Sequence, residues 1–175
     1  MCPRFIAIAC ASLLALQAVK AEDIETKTPP MTRTIILVRH AEKAAGGGSD
    51  PMLSPAGETR AQALAAALAK AGITAIVTSP YQRTQRTAQP LAKTLGITAQ
   101  VVDAAVPAVV SAVNASPGDG TVLVVGHSNT VPGIIAALGG PVLPDLPEQS
   151  FNQLFVLLPG SPPRLVQAQY GAASP

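Results

Sequence analysis

Residues 35–40 read Ile35-Ile36-Leu37-Val38-Arg39-His40, four apolar residues followed directly by a cation and an imidazole. Three of the four apolar residues are β-branched, which favours a strand that is buried on both faces. Such a strand cannot continue through Arg39 and His40 unless those side chains find partners. In an open parallel sheet, ligands bind at the carboxyl ends of the strands. The stretch predicts a central strand that ends at a candidate site, although a strand that merely surfaces at a polar pair stays the alternative.

The first 21 residues have the pattern of a bacterial-type secretory signal peptide. Arg4 precedes an apolar run over residues 5–18, and Val19 and Ala21 occupy the two positions that define a cleavage site. The run is short for a membrane span, and a retained anchor stays the alternative. We therefore expect cleavage before Glu22, a periplasmic or secreted location, and no stable membrane association of the mature chain.

Removing this segment changes the bulk composition. Both cysteines, Cys2 and Cys10, lie in it, so the mature chain can form neither a disulfide nor a thiolate metal site. Two of the 12 Lys and Arg residues are lost with it, which leaves ten basic residues against ten acidic ones. A nearly neutral chain without Trp lacks both the charge and the stacking surface that nucleic acids require. No nucleic-acid partner is expected.

Apolar runs and turn signals alternate along a single predicted domain at residues 34–175, which follows a polar tail at residues 22–33. Strands are predicted at residues 34–38, 75–78, 98–102, 122–125, 154–158 and 165–169, the last at an edge. Helices are predicted at residues 55–70, 80–95, 106–115 and 131–138, and Ser79 and Gln82 would form a capping box on the second helix. Alternating strands and helices predict a three-layer α/β/α sandwich with a mostly parallel, doubly wound sheet.

The mature chain has two histidines, His40 and His127, and each follows a four-residue apolar strand. For one such histidine, a satisfied core or surface residue is the simpler interpretation. Two at equivalent places favour a shared site, because parallel strands bring their carboxyl ends to one edge. His40 follows a cation and precedes the glycine-rich loop 44–50, which leaves space for attack. His127 precedes a helix start, where N–H groups favour binding an anion.

A third polar cluster begins the second predicted helix. Arg83 lies near the amino terminus of that helix and Arg86 follows at i+3, beside unpaired N–H groups. A solvated helix face is the alternative, above all for Arg86. With the two histidines, these arginines predict a compact anion site. Guanidinium groups bind phosphate oxygens, one histidine attacks phosphorus, and the other stabilises the equatorial oxygens.

Three segments resemble the signature segments of the histidine phosphatase superfamily, in its phosphoglycerate-mutase-like branch. They are Leu37–Glu42, Ser79–Thr87 and Val125–Asn129, in matching order and spacing. The resemblance covers nearly all of the mature chain and implies the phosphoglycerate-mutase-like fold.

The same resemblance implies a role for each matching residue. His40 would be the phosphorylated nucleophile, Arg39 and Arg83 would bind phosphate, and His127 would complete the pocket. Ser128 and Arg86 are further candidate phosphate ligands. Neither a metal ion nor a cofactor is implied.

The sequence departs from the family pattern in two ways. Ala41 replaces the usual glycine after the first histidine, a small change. Many members also place a glutamate acid between the second and third segments, where this chain has only Asp103 and Asp119, the latter in a turn. Candidate proton donors are Glu42, Asp50 and Asp103. A weak acid matters least for phosphoramidate or aryl esters, so short members resembling bacterial phosphohistidine phosphatases become relevant.

The leading hypothesis is an exported, metal-independent phosphomonoesterase that acts on a phosphorylated small molecule or phosphoprotein through a phosphohistidine. A narrow phosphohistidine or phosphosugar phosphatase is one alternative, and a non-catalytic phosphate-binding module is another. A metal hydrolase is disfavoured, because two histidines and scattered carboxylates show no usual ligand spacing. Phosphoglycerate mutase activity is also disfavoured, because the chain is short and an exported protein would not meet glycolytic intermediates.

Overall fold

The computed structural model describes residues 33–46, 48–158, 160–161 and 163–174. The predicted signal peptide and residues 22–32 of the predicted tail lie outside the described residues. Within this part of the chain the elements are β1 (Ile35–Arg39), α1 (Pro55–Leu68), β2 (Ile73–Thr78), α2 (Gln82–Leu95), β3 (Gln100–Val101), α3 (Val106–Ala115), β4 (Thr121–Gly126), α4 (Thr130–Ala137), β5 (Gln153–Leu158) and β6 (Arg164–Gln169).

The described strands form a six-stranded sheet in the order β3-β2-β4-β1-β5-β6. β4 pairs in parallel with both β1 and β2, and β3 pairs in parallel with β2. β5 is antiparallel to both β1 and β6. The last strand lies at an edge, as predicted, whereas the predicted third strand shrinks to the two residues of β3.

Alternate residues of the central strands face opposite helical layers. In β1, Ile35 and Leu37 belong to the core that contains α3 and α4, while Ile36 and Val38 belong to the core that contains α1 and α2. Both faces of β1 and β4 are therefore buried, which explains their continuous apolar sequences. Helices on both faces of the sheet confirm the predicted three-layer α/β/α sandwich.

The carboxyl ends of β1, β4 and β2 lie side by side in the middle of the sheet. Arg39 pairs with Gly126, and Thr78 pairs with Val125. The backbone N–H of His40 donates to the carbonyl of Gly126 at 2.9 Å. The three polar segments that follow these strands therefore meet at one edge of the sheet, as expected for a parallel arrangement.

The loop after β1 is held against α1. Ser54 caps this helix as predicted, because its side chain accepts from the N–H of Gly57 at 3.1 Å. The N–H of Ser54 donates to the carbonyl of Glu42 at 2.9 Å. A Cβ at Gly57 would overlap that carbonyl oxygen, so only glycine permits the approach. These contacts fix the backbone two residues beyond His40.

Candidate active site

A cavity of about 330 Å³ opens where the three polar segments meet. Its lining residues lie at the end of β1, in the segments that follow β1, β2 and β4, in the loop before α3, and in the segment between α4 and β5. They are Arg39, His40, Lys43, Tyr81, Arg83, Ala104, His127, Ser128, Asn129, Thr130 and Glu148. The structure thus brings together five of the predicted site residues, namely Arg39, His40, Arg83, His127 and Ser128.

His40 is held in one tautomer by its own backbone. The ring is buried, and Nδ1 lies 2.8 Å from the carbonyl oxygen of Ala41. A carbonyl oxygen can only accept, so Nδ1 carries the hydrogen and Nε2 carries the free lone pair. Burial, with a smaller contribution from the charge of Arg39, lowers the pKa of His40 to about 3. At neutral pH the ring is an uncharged imidazole with a nucleophilic Nε2.

His127 ends a chain of hydroxyl groups that runs back into the protein. Its Nε2 lies 3.0 Å from Ser79 Oγ, which lies 2.8 Å from Thr84 Oγ1. The single hydroxyl hydrogen of Thr84 faces the carbonyl oxygens of Ser79 and Tyr81. Thr84 therefore accepts from Ser79, and Ser79 accepts from the Nε2–H of His127. Burial, followed by the charge of the nearby arginines, lowers the pKa of His127 to about 4.

Arg39 is fixed by the segment that precedes β5. Its Nη1 donates to the carbonyls of Pro147 and Glu148 at 2.9 and 2.8 Å. Its Nη2 lies 3.2 Å from the Glu148 carboxylate, and the guanidinium carbon lies 4.4 Å from the ring centroid of Phe151. These contacts hold the buried Arg39 guanidinium next to His40, so its position does not depend on a bound substrate.

The predicted capping box on α2 is wrong, because Ser79 is turned toward His127 instead. The residue at the cap position is Tyr81, which makes no side-chain capping bond. Asp50 takes over that role, since its carboxylate accepts from the N–H of Gln82 at 2.9 Å. The same carboxylate lies 3.7 Å from Arg83 Nη1, while the guanidinium stacks 4.2 Å from the ring centroid of Tyr81. Asp50, predicted as a possible proton donor, is thus a helix cap and a partner of Arg83.

Arg86 and Glu42 lie outside the lining of the cavity. Arg86 pairs with Glu58 at 3.7 Å and lines a separate groove along α2. Glu42 receives hydrogen bonds of 2.7–2.9 Å from the Arg60 guanidinium. Burial is the largest single effect and works toward a higher pKa for Glu42, but the hydrogen bonds from Arg60 and from the Glu42 backbone, together with the charges of Arg60 and Arg39, outweigh it and the pKa is lowered. The structure thus separates Arg86 from the predicted phosphate ligands and gives Glu42 an environment that favours the ionised carboxylate.

Asp103 also does not contact the cavity. Its side chain is exposed and accepts from the N–H of Ala105 at 2.8 Å, just before α3. The acidic residue that does line the cavity, Glu148, follows the irregular stretch 141–147. Sequence reasoning missed it because that stretch has no periodicity to assign its side chains to a face.

Two features are not found in the part of the chain that the structure describes. No group of three or more His, Cys, Asp or Glu side chains is arranged to hold a metal ion there. None of its helices is long and apolar enough to cross a bilayer.

Several solved structures share this fold. A protein histidine phosphatase SixA complexed with tungstate aligns with a TM-score of 0.63 at 20% identity, over 78% of this chain and 96% of that one. A putative phosphohistidine phosphatase SixA from Agrobacterium tumefaciens aligns with a TM-score of 0.58 at 22% identity, over 82% of this chain and 99% of that one. A mycobacterial glucosyl-3-phosphoglycerate phosphatase complexed with VO3 aligns with a TM-score of 0.59 at 21% identity, over 81% of this chain and 100% of that one. At these identities the similarity establishes the fold.

The sequence comparisons match a family over part of the chain. No curated protein matches the chain significantly. The family model of the histidine phosphatase superfamily (branch 1) matches residues 35–106, from the first residue of β1 to the start of α3. That span contains two of the three signature segments, and the third lines the same cavity. Residues 35–106 of the chain therefore match the histidine phosphatase superfamily, branch 1, and the chain shares its fold with solved phosphatases.

Proposed function

We propose that this chain is a metal-independent phosphomonoesterase that forms a covalent phosphohistidine at Nε2 of His40. One observation carries the proposal. The Ala41 carbonyl holds the hydrogen of His40 on Nδ1, which leaves a lone pair on Nε2 of an uncharged ring at the cavity. An imidazole in this state can attack phosphorus without first losing a proton.

The two arginines of the cavity supply the charge that the reaction needs. Arg39 and Arg83 both line it, and each is held by contacts of its own, with the 147–150 segment and with Asp50 and Tyr81 respectively. Preorganised guanidinium groups stabilise the charge on the equatorial oxygens of a phosphoryl group in transfer. In this mechanism the two arginines neutralise the charge that a divalent cation neutralises in many phosphotransferases.

His127 would stabilise the same oxygens. Its one ring hydrogen in the neutral form is directed at Ser79. An entering phosphate receives a hydrogen bond from His127 either by displacing Ser79 or by drawing a second proton onto the ring. A neighbouring dianion favours the charged imidazolium, and the ring is then a donor at both nitrogens.

The substrate is proposed as a phosphorylated small molecule or a phosphoprotein. The structural neighbours are named as phosphatases of phosphohistidine and of glucosyl-3-phosphoglycerate, which supports both classes. A narrow phosphohistidine or phosphosugar phosphatase stays the alternative within enzymes. A non-catalytic phosphate-binding module is the alternative outside them, and the neutral Nε2 of His40 argues against it.

Hydrolysis of 4-nitrophenyl phosphate tests the proposal. The purified protein is expected to release 4-nitrophenol at the same rate before and after treatment with excess chelator, because the arginines carry the permanent charge. The matched control is a metal-dependent phosphatase treated in parallel, which must lose its activity. A rate that vanishes with chelator and returns with a divalent ion would refute the arginine mechanism, and phosphate binding without any turnover would favour the binding module.

We also propose that the enzyme acts outside the cytoplasm. Val19 and Ala21 at the cleavage positions support a signal peptide that ends before Glu22. Amino-terminal sequencing of the protein from fractionated cells is expected to begin at Glu22 and to find it in the periplasm or medium. Full-length protein in the cytoplasm would contradict export, and full-length protein in the membrane fraction would favour a retained anchor.

A further inference from the structure

Glu148 places a carboxylate at the mouth of the cavity. Its Oε2 lies 3.2 Å from Nη2 of Arg39, and its Oε1 lies 3.3 Å from Oγ of Ser128. The side chain is 74% exposed, so the carboxylate reaches these partners from the solvent side. It therefore lies between bulk water and the residues proposed to hold the phosphoryl group.

The backbone beneath this carboxylate is held by hydrogen bonds, whereas the carboxylate itself is exposed to solvent. Arg39 donates to the carbonyls of Pro147 and Glu148, and the N–H of Leu146 donates to the carbonyl of Ser128 at 2.9 Å. Leu146 itself is buried in the core. An exposed glutamate on an anchored segment can exchange partners within the cavity mouth without any movement of the fold.

Glu148 is the one acidic residue among the described residues that line the cavity. The carboxylates predicted as proton donors from the sequence all have other partners. Glu42 is bound by Arg60, Asp50 caps α2, and Asp103 accepts from Ala105 outside the cavity.

We propose that Glu148 is the proton donor and acceptor of the reaction, and that the chain therefore cleaves alkyl phosphate esters as well as aryl ones. This inference rests on the proposed phosphatase function. A carboxylate and a phosphoryl dianion that share Arg39 repel each other, and the repulsion is relieved when the carboxyl group takes up a proton. The bound substrate thereby prepares the acid that its leaving group requires.

The proposed reaction has two steps, phosphorylation of His40 and hydrolysis of the phosphohistidine. In the first, the Nε2 lone pair of His40 forms a bond to phosphorus, and the ester P–O bond breaks with its electron pair on oxygen. That oxygen takes the proton of Glu148 and leaves as an alcohol. In the second, a water oxygen attacks phosphorus and gives its proton to the Glu148 carboxylate. The P–N bond breaks with its pair returning to Nε2, and phosphate leaves.

Glu148→Gln tests the inference with two substrates of similar size. 4-Nitrophenyl phosphate releases a stable phenolate that needs little protonation, whereas benzyl phosphate releases an alkoxide that needs much. The variant is expected to lose roughly 10²-fold or more of kcat/KM for benzyl phosphate, the range of a lost general acid, and less than about tenfold for 4-nitrophenyl phosphate. Asp145→Asn removes the same charge from an exposed position of the same segment and is expected to change neither rate.

Rates on the two substrates also distinguish a failure of this inference from a failure of the proposed function. Equal losses on both would mean that Glu148 acts only through Arg39 or Ser128. Equal gains would mean that its carboxylate merely competes with phosphate for Arg39. A wild-type protein that cleaves 4-nitrophenyl phosphate but not benzyl phosphate would likewise overturn the inference while leaving the proposed function intact. A wild-type protein that cleaves neither would contradict the proposed function itself.

Discussion

Replacing His40 with alanine is expected to lower kcat for 4-nitrophenyl phosphate by a factor on the order of 10⁶, the scale of loss when a covalent nucleophile is removed. The imidazole Nε2 is the group assigned to attack phosphorus, and its lone pair is free because Nδ1 bonds to the Ala41 carbonyl. Steady-state rates of the variant and the wild type, measured under identical conditions, give the ratio.

Two controls keep this result interpretable. Thermal unfolding must show a folded variant, because His40 is buried and its removal leaves a cavity. Vanadate or inorganic phosphate must still bind, because Arg39 and Arg83 remain. A folded His40→Ala protein that retains more than about one hundredth of the wild-type rate would assign the nucleophile to another group.

Replacing His127 with alanine is expected to slow both formation and hydrolysis of the phosphoenzyme by roughly 10²–10³-fold, the loss for one transition-state donor. The covalent intermediate should still form, because His40 is untouched. Rapid-quench measurement of the two steps separates this outcome from a loss of binding. A folded variant with an unchanged rate for either step would contradict the assigned role.

Ser79 should act only through His127, since its Oγ bonds to His127 Nε2 and lies behind it in the hydroxyl chain. Ser79→Ala alone is expected to cost about tenfold in kcat, the worth of one hydrogen bond. In a His127→Ala background the same change is expected to cost nothing, because contacting residues couple. Additive losses would show that Ser79 serves the reaction independently.

Much of this fold is predictable because its central strands are apolar and buried along almost their whole length. β1 and β4 are buried on both faces, so their apolar runs carry a clear signal, and the histidine after each strand is placed by the parallel geometry. β3 could not be bounded in the same way. It is a two-residue edge strand with exposed side chains, so neither pattern nor burial marks its ends.

The parts of the site that the sequence misplaces depend on contacts between distant segments. Ser79 fits a capping box, yet His127, 48 residues away, competes for its hydroxyl group and Asp50 caps the helix in its place. Arg86 follows Arg83 by three residues, but Glu58 of α1 pairs with it outside the cavity. Glu148 reaches the cavity from an irregular segment whose course is set by carbonyl bonds to Arg39.

The central claim, a covalent phosphohistidine, is tested most directly by locating the phosphoryl group. The protein is mixed with a ³²P-labelled fast phosphodonor and quenched within milliseconds under alkaline conditions, because phosphohistidine is labile in acid. Peptide mapping then finds the labelled residue. The predicted result is a label on Nε2 of His40 that is absent from the His40→Ala protein. A label on His127, a label that persists in His40→Ala, or turnover with no labelled protein at any time would contradict it.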